Sequence, residues 1–170
     1  MLWPIRHLLA IAVLPFTVTV LIPRWIARRE GIVPRMGHGP AEPAIQLLGL
    51  GVLGVGLVLF GASLYRFIVD GRGTLAPWDP PRRLVVRGPY RYVRNPMISG
   101  VALVLFGEAA VLLSRSHLLW ALCFLGINAV YIPLLEEPYL AIRFGESYDE
   151  YRRHVPRLLP RMRPWQPGKA

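Results

Sequence analysis

Residues 44–69 read AIQLLGLGVLGVGLVLFGASLYRFIV, and they decide the fold. About 21 apolar or small residues precede Arg66, enough for a helix to cross a bilayer core. Gly49, Gly51, Gly54, Gly56 and Gly61 interrupt the run. In lipid such small residues let helix backbones approach closely, so these glycines predict a packed helix face. Arg66, near the end of the stretch, can extend its guanidinium to the interface.

Two further apolar stretches lie C-terminal to this one, Met97–Leu113 and Leu118–Leu135. The turn between them, Ser114-Arg115-Ser116-His117, is so short that they are expected to form an antiparallel hairpin. N-terminally, Leu8–Ile22 is apolar and contains Pro15. The residues after it, Pro23-Arg24-Trp25-Ile26-Ala27-Arg28-Arg29, carry no small-x-small cleavage site, so it reads as a retained, kinked membrane helix. The expected fold is all-α: an integral membrane bundle of about four transmembrane helices with a C-terminal helical tail. Residues 1–43 form an N-terminal helix and loop and 44–170 the main membrane region, together one structural domain.

Composition agrees. The 170 residues are 54% hydrophobic yet carry a net charge of +10, with a mean hydropathy of +0.39. A soluble core cannot use that much apolar sequence in runs this long, whereas a membrane protein keeps its charge in the loops. Nucleic acid is not the expected partner: apolar runs separate the arginines and no nucleic-acid motif occurs. Anionic lipid headgroups are the better counter-charge. The single cysteine, Cys123, excludes an intramolecular disulfide and a cysteine-based zinc site, and is expected to be a small buried hydrophobe.

The loop Asp70–Pro96 holds Arg72, Arg82, Arg83, Arg87, Arg91 and Arg94, with Pro77, Pro80, Pro81 and Pro89. The tail from Glu136 holds Arg143, Arg152, Arg153, Arg157, Arg161, Arg163 and Lys169. The hairpin places loop and tail on one side, and the positive-inside rule makes that side cytosolic. The opposing charges, Arg24, Arg28, Arg29 and Arg35, fall in a first loop that would lie outside. In the tail, Gly145 is expected to break regular structure and Pro138 to disturb its start. Glu146 to His154 could form a short helix that the later prolines end.

Loop and tail flank the hairpin, so Arg87–Pro96 is expected near Glu136-Glu137. Two carboxylates ending an apolar run are costly unless solvated or used. They could mark the helix end, or accept hydrogen bonds from a diol or attract a cation. No His or third acid lies nearby, so no metal is expected. Gly88-Pro89-Tyr90 reads as a turn before a helix. Tyr90 and Tyr92 read as interface anchors, or Tyr90 as a stacking ring or hydroxyl donor. Glu108 and Asn128, within apolar stretches, either line a substrate pocket or bond a neighbouring helix. Phe144 to Tyr151, with Arg152 and Arg153, forms either a lid over the site or an amphipathic helix on anionic lipid.

Two blocks then carry a resemblance. RGPYRYVRNPMISG, Arg87–Gly100, and EEPYLAIRFGESYDEYRRHVPRLLPR, Glu136–Arg161, resemble the signatures of the isoprenylcysteine carboxyl methyltransferase and phospholipid methyltransferase family. They come in the family's order with a helical hairpin between them. The resemblance implies a membrane methyltransferase using S-adenosylmethionine. By it the cofactor-binding positions fall on Arg82, Arg83, Leu84 and Val85, largely through backbone, and on Tyr90. They fall also on Asn95, Pro96, Met97 and Ile98, and on Glu136. Asn95 stands where the family usually has histidine and Ile98 where it has tyrosine. Asn retains a donor and an acceptor, whereas Ile98 cannot hydrogen-bond. Ile132 occupies the place of the arginine that binds substrate in the prenyl-cysteine enzymes, so that substrate is not carried over.

The implied partners are membrane lipids and a lipophilic or lipidated methyl acceptor, with the polar cofactor entering from the cytosol. Two other readings compete. One is an NADPH-dependent membrane reductase of the sterol-reductase type, which resembles the same C-terminal region. The other is a non-catalytic scaffold that kept the fold. The paired glutamates favour the methyltransferase over the reductase, for which this chain is short.

Overall fold

A computed structural model of the chain describes residues 12–37, 39–71 and 81–166. Leu8–Ile11, Arg72, Pro77, Pro80 and Lys169, which enter the sequence reading, lie outside the described residues. Every regular element among those described is helical. In order they are a π-helix Ala12–Leu21, α1 Ile22–Glu30, α2 Glu42–Gly71, a 3-10 turn Gly88–Arg91 and α3 Pro96–Leu112. Then come α4 Arg115–Tyr131, a π-segment Ile132–Glu136, α5 Glu137–Phe144 and α6 Glu146–His154.

Two helical stretches are long and apolar enough to cross a membrane, Glu42–Gly71 and Arg115–Phe144, and α3 is a shorter apolar helix of the same character. Only 17% of the most apolar window of either long stretch is buried. Leu47, Leu48, Val55 and Val58 on α2 are 61–73% exposed. A helix in the core of a soluble protein would bury such residues; these present them outward, as a lipid solvent requires.

The described chain divides into two units, residues 1–58 with 100–126, and residues 59–99 with 127–170. In the first, α2 and α3 pack antiparallel through glycine. A Cβ on Gly49 would lie 2.7 Å from Ala110 Cβ, one on Gly56 would lie 2.7 Å from the Val104 nitrogen, and one on Gly107 would lie 2.6 Å from Leu53 Cβ. Gly51, Gly54 and Gly61 have nothing within 4 Å, so only two of the five predicted packing glycines pack. Gln46, the polar residue in the apolar run, donates through Nε2 to the Arg35 carbonyl at 2.7 Å and to the Val111 carbonyl at 2.9 Å. The second bond satisfies a carbonyl left over at the C-terminus of α3.

The N-terminal reading needs correction. The chain past Ile22 is helical to Glu30, so Arg24, Arg28 and Arg29 lie on α1 and not in a loop. Pro23 brings no N–H to this helix. The Val18 carbonyl, five residues earlier in the π-helical register, instead accepts from Trp120 Nε1 at 3.0 Å. His117, buried, bridges the Ser114 hydroxyl at 2.8 Å and the Pro23 carbonyl at 3.1 Å. The turn before α4 is shorter than expected: α3 and α4 are joined by Leu113 and Ser114 alone, with Leu113 left-handed at φ 49°. Cys123 is exposed, not buried, on an outward face of α4.

The second correction concerns Pro138 and the end of the fourth apolar stretch. The helix does not end at Leu135. It widens through Ile132–Glu136, where Glu137 N donates to the Ile132 carbonyl, and continues to Phe144. A single π-turn absorbs residues that cannot donate, and such turns re-aim the side chains that follow. Gly145 (φ 55°) breaks the helix and α6 follows over Glu146–His154, both as the sequence predicts.

Candidate functional site

All the cofactor residues inferred from the resemblance belong to the second unit. The Gly71 carbonyl, at the end of α2, accepts from the Arg82 and Arg83 amides at 2.8 and 3.3 Å. These two backbone donors, expected to serve a ligand, are therefore already used, and both side chains are exposed. Val85 is buried; a Cβ on Gly71 would meet its Cγ2 at 3.0 Å. Gly88, at φ 57°, turns the chain into the 3-10 turn that buries Tyr90. Tyr90 is thus a core side chain and not an interface anchor, whereas Tyr92 is exposed.

Tyr90 sits under an aromatic layer from α6 and the tail. Tyr148, Tyr151, Val155 and Trp165 form one buried cluster, with Leu84, Val86 and Phe144 packed on it. Tyr151 Oη donates to the Tyr90 carbonyl at 2.7 Å. Two of the inward residues of α6 are therefore pinned, so α6 is a packed helix rather than a free lid; Arg152 and Arg153 occupy its outer face. Burial, the adjacent Tyr151 and the Glu136 carboxylate, in that order, hold the Tyr90 hydroxyl well above the ordinary phenol range. It stays protonated and able to donate at neutral pH.

The two glutamates, consecutive on the helix, face different directions. Glu137 is 6% exposed and accepts from Arg157 Nε at 2.6 Å and Nη2 at 3.0 Å, a two-point bond. Arg94 Nη1 approaches the same carboxylate at 3.2 Å. The hydrogen bond to Glu137 raises Arg157 above its usual value. Arg94, only 9% exposed, also hydrogen-bonds the Tyr148 hydroxyl. Glu136 forms no hydrogen bond or ion pair among the described residues, and its carboxylate acts electrostatically on Tyr90 and Tyr148. So Glu137 is a structural latch, while Glu136 is a half-buried carboxylate with capacity to spare.

The tail closes the arrangement. Arg94 N donates to the Pro156 carbonyl at 2.8 Å, Asn95 N to Arg157 at 3.2 Å, and Trp165 N to Arg91 at 2.9 Å. Pro96 is buried at the start of α3, with Met97 and Ile98 half-buried beside it. Asn95 keeps its place next to the latch, its amide spent on Arg157. Asn128 and Ile132 are both buried on the fourth apolar stretch. Glu108 belongs to the first unit, where its Oε2 is buried without a hydrogen-bond partner.

An open cleft of ≈620 Å³, of small-molecule size, is lined by Val69, Asp70, Arg83, Leu84, Arg87 and Trp165 among others. Tyr90 and Glu136 are not among its lining residues. Arg83 and Leu84 are thus gathered on the cleft, and Tyr90, Asn95 and Glu136 around the latch. Arg157, Tyr148, Tyr151 and Trp165 carry much of this construction; sequence reasoning singled out neither Arg157 nor Trp165, and placed Tyr148 and Tyr151 only within a lid or surface helix. The signal was present in part: Tyr148 and Tyr151 lie three apart on a helix otherwise rich in charge.

A donor set of this kind suits a zwitterionic nucleoside. S-adenosylmethionine carries a carboxylate, an ammonium, a sulfonium and a ribose diol. Among the residues of the second unit that could pair with such groups are Glu136 and Arg94, whose buried Nε has no hydrogen-bond partner among the described residues while its Nη1 is ion-paired with Glu137. Among the described residues no group of three or more His, Cys, Asp or Glu could hold a metal ion.

Comparison with known proteins gives one consistent result. A family model for phospholipid methyltransferase matches residues 45–147, more than half of the chain. Methanethiol S-methyltransferase 2 of Bradyrhizobium diazoefficiens is 38% identical over 76 residues, covering 43% of this chain and 27% of its own length. Methanethiol S-methyltransferase of Crocosphaera subtropica is 36% identical over 74 residues, 42% of this chain and 27% of its own. The chain thus spans about a quarter of the length of the curated relatives it matches. No solved structure matches it.

Proposed function

The chain belongs to the phospholipid methyltransferase family, and on that premise we propose that it is an S-adenosylmethionine-dependent methyltransferase acting on a lipophilic or membrane-associated acceptor. The division of labour in Glu136-Glu137 carries this reading. A purely structural helix end would leave both carboxylates to solvent. Here Glu137 is consumed by Arg94 and Arg157, which leaves Glu136 available to a ligand, and its charge is felt at the protonated Tyr90 hydroxyl.

When bound, S-adenosylmethionine supplies an activated methyl group on a sulfonium. Glu136 would hold its ammonium or ribose hydroxyls, and Arg94 its carboxylate. Tyr90 would donate one further hydrogen bond. None of these groups needs to move a proton for the displacement itself. Their work is to fix the geometry in line and keep water out, which the aromatic layer of Tyr148, Tyr151 and Trp165 supports. An acceptor that is already a thiolate or carboxylate needs no base. The names of the two relatives add small apolar thiols to the candidate acceptors.

In this reading the protein is multi-pass. The N-terminal apolar stretch expected from the sequence over Leu8–Ile22, α2, α3 and the helix Arg115–Phe144 would supply about four membrane crossings, one structural domain in all, with the Tyr90–Glu136 site on the cytosolic side. The acceptor enters from the lipid. The test is methyl-labelled cofactor incubated with the reconstituted protein and either lipid extract or methanethiol, followed by identification of the labelled product. Labelled product in neither arm, from folded protein, argues against the proposal.

A further inference from the structure

The tail from Tyr151 to Ala170 contains five arginines, one lysine and no acidic residue. Within it, Leu159 is 81% and Met162 is 95% exposed, the latter the most exposed large hydrophobic residue among those described. Such exposure on a floppy terminus means little. This segment is not floppy. On either side of Leu159 and Met162 the backbone is fixed to the start of α3 and the turn before it. The Pro156 and Arg157 carbonyls accept from Arg94 and Asn95, and the Leu158 carbonyl accepts from Ser99 Oγ at 3.2 Å. Arg161 N donates to Tyr92 at 3.0 Å and Trp165 N to Arg91 at 2.9 Å. Arg161 Nη1 returns to the His154 carbonyl at 2.8 Å.

Two apolar side chains are therefore held outward by a rigid strap, next to the residues where an apolar helix begins. Arg163 is exposed beside Met162, and Arg152 and Arg153 are exposed on α6. We propose that the strap Arg157–Arg163 is a membrane-surface foot that seats on anionic bilayer, Leu159 and Met162 entering the acyl boundary and the surrounding arginines meeting lipid phosphates. The chemistry has two matching halves. Apolar side chains fixed away from any protein partner need an apolar solvent. Arg157 and Arg152 are paired with Glu137 and Asp149, but Arg161 and Arg163 meet no acid among the described residues; they need an anionic surface, and the interface of an anionic leaflet supplies it together with the apolar one. A protein partner would be expected to offer acids to a groove, but Leu159 and Met162 stand proud of their strap, a shape that inserts.

The test uses full-length protein with Cys123→Ser, reconstituted in phosphatidylcholine vesicles with and without phosphatidylglycerol. Met162→Cys carries an environment-sensitive fluorophore, and Glu146→Cys on the outer start of α6 is the reference. In the anionic vesicles, lipid-borne nitroxide should quench position 162 at least roughly threefold more than position 146, and aqueous iodide correspondingly less. Arg163→Glu should reduce the lipid quenching at 162. Equal iodide quenching at the two positions overturns the proposal, as does identical lipid quenching with and without phosphatidylglycerol. Leu159→Cys repeats the measurement should Met162→Cys fail to fold.

Discussion

Glu137 should prove to be held far more firmly by Arg94 than by Arg157, although Arg157 makes the better-looking bond. Arg157 reaches the carboxylate at 2.6 and 3.0 Å, but its side chain is 37% exposed. Water can replace much of what its removal takes away, so Arg157→Gln is expected to cost about 1–2 kcal/mol. Arg94 lies at 3.2 Å but is 9% exposed, against a carboxylate that is 8% exposed. Removing it takes away the buried counter-charge and leaves a buried anion to the partly exposed Arg157 alone, and breaking a buried pair costs about 3–5 kcal/mol. Thermal unfolding in detergent without cofactor, followed by tryptophan fluorescence, reads the difference. At roughly 2–4 °C per kcal/mol for a chain of this size, Arg157→Gln should lower Tm by about 2–8 °C and Arg94→Gln by about 6–20 °C. Glu137→Gln should fall with Arg94→Gln, since it leaves the buried guanidinium unpaired. An Arg157→Gln loss equal to or larger than that of Arg94→Gln would refute the reasoning that burial, and not distance, sets the strength of the latch.

Three further outcomes follow from the same structure. Gly56→Ala should destabilise by about 1–3 kcal/mol, because its Cβ would meet the Val104 nitrogen and the Gly100 carbonyl at 2.7 and 2.8 Å. Gly54→Ala, with open space around it, should be neutral or slightly stabilising in the same melts. Trp120→Phe should cost about 1–2 kcal/mol by leaving the Val18 carbonyl without its donor. The buried hydroxyls of Tyr90, Tyr148 and Tyr151 all have raised pKa values in the folded state. Their contribution to stability is therefore fully present below the unfolded phenol value of about 10 and is lost progressively from there as pH climbs toward and through the raised folded values. Melts between about pH 7 and 11 should be flat first and then fall, and Tyr151→Phe should shallow the fall.

The sequence made the apolar helices legible because lipid selects on composition alone: residues 44–69 and 97–113 need no partner to be read. It made α6 legible because Gly145 and the prolines punctuate the tail. The continuation of the helix past Leu135 and through Pro138 was not legible. Proline is read as a breaker, and only the three-dimensional ladder shows that one π-turn absorbs the missing donors. Glu136 and Glu137 face different directions, although in sequence they are equal neighbours. That the segment before α3 meets the residues after Leu135 could be read from connectivity, since each adjoins an end of the hairpin, and the Arg94–Glu137 pair realises it. Arg157 and Trp165 could not, because their placement depends on an irregular strap with no periodicity. Cys123 illustrates a different failure: the rule that cysteine is buried presumes water outside, and on α4 the outside is apolar.

The most direct test of the account is equilibrium binding of labelled S-adenosylmethionine to purified wild-type protein and to Glu136→Gln, with Tm recorded for both. Saturable binding to wild type is expected, weakened in Glu136→Gln by at least about tenfold, the loss of one charge-assisted hydrogen bond, at unchanged Tm. Equal binding to both proteins, or none to a folded wild type, would contradict it.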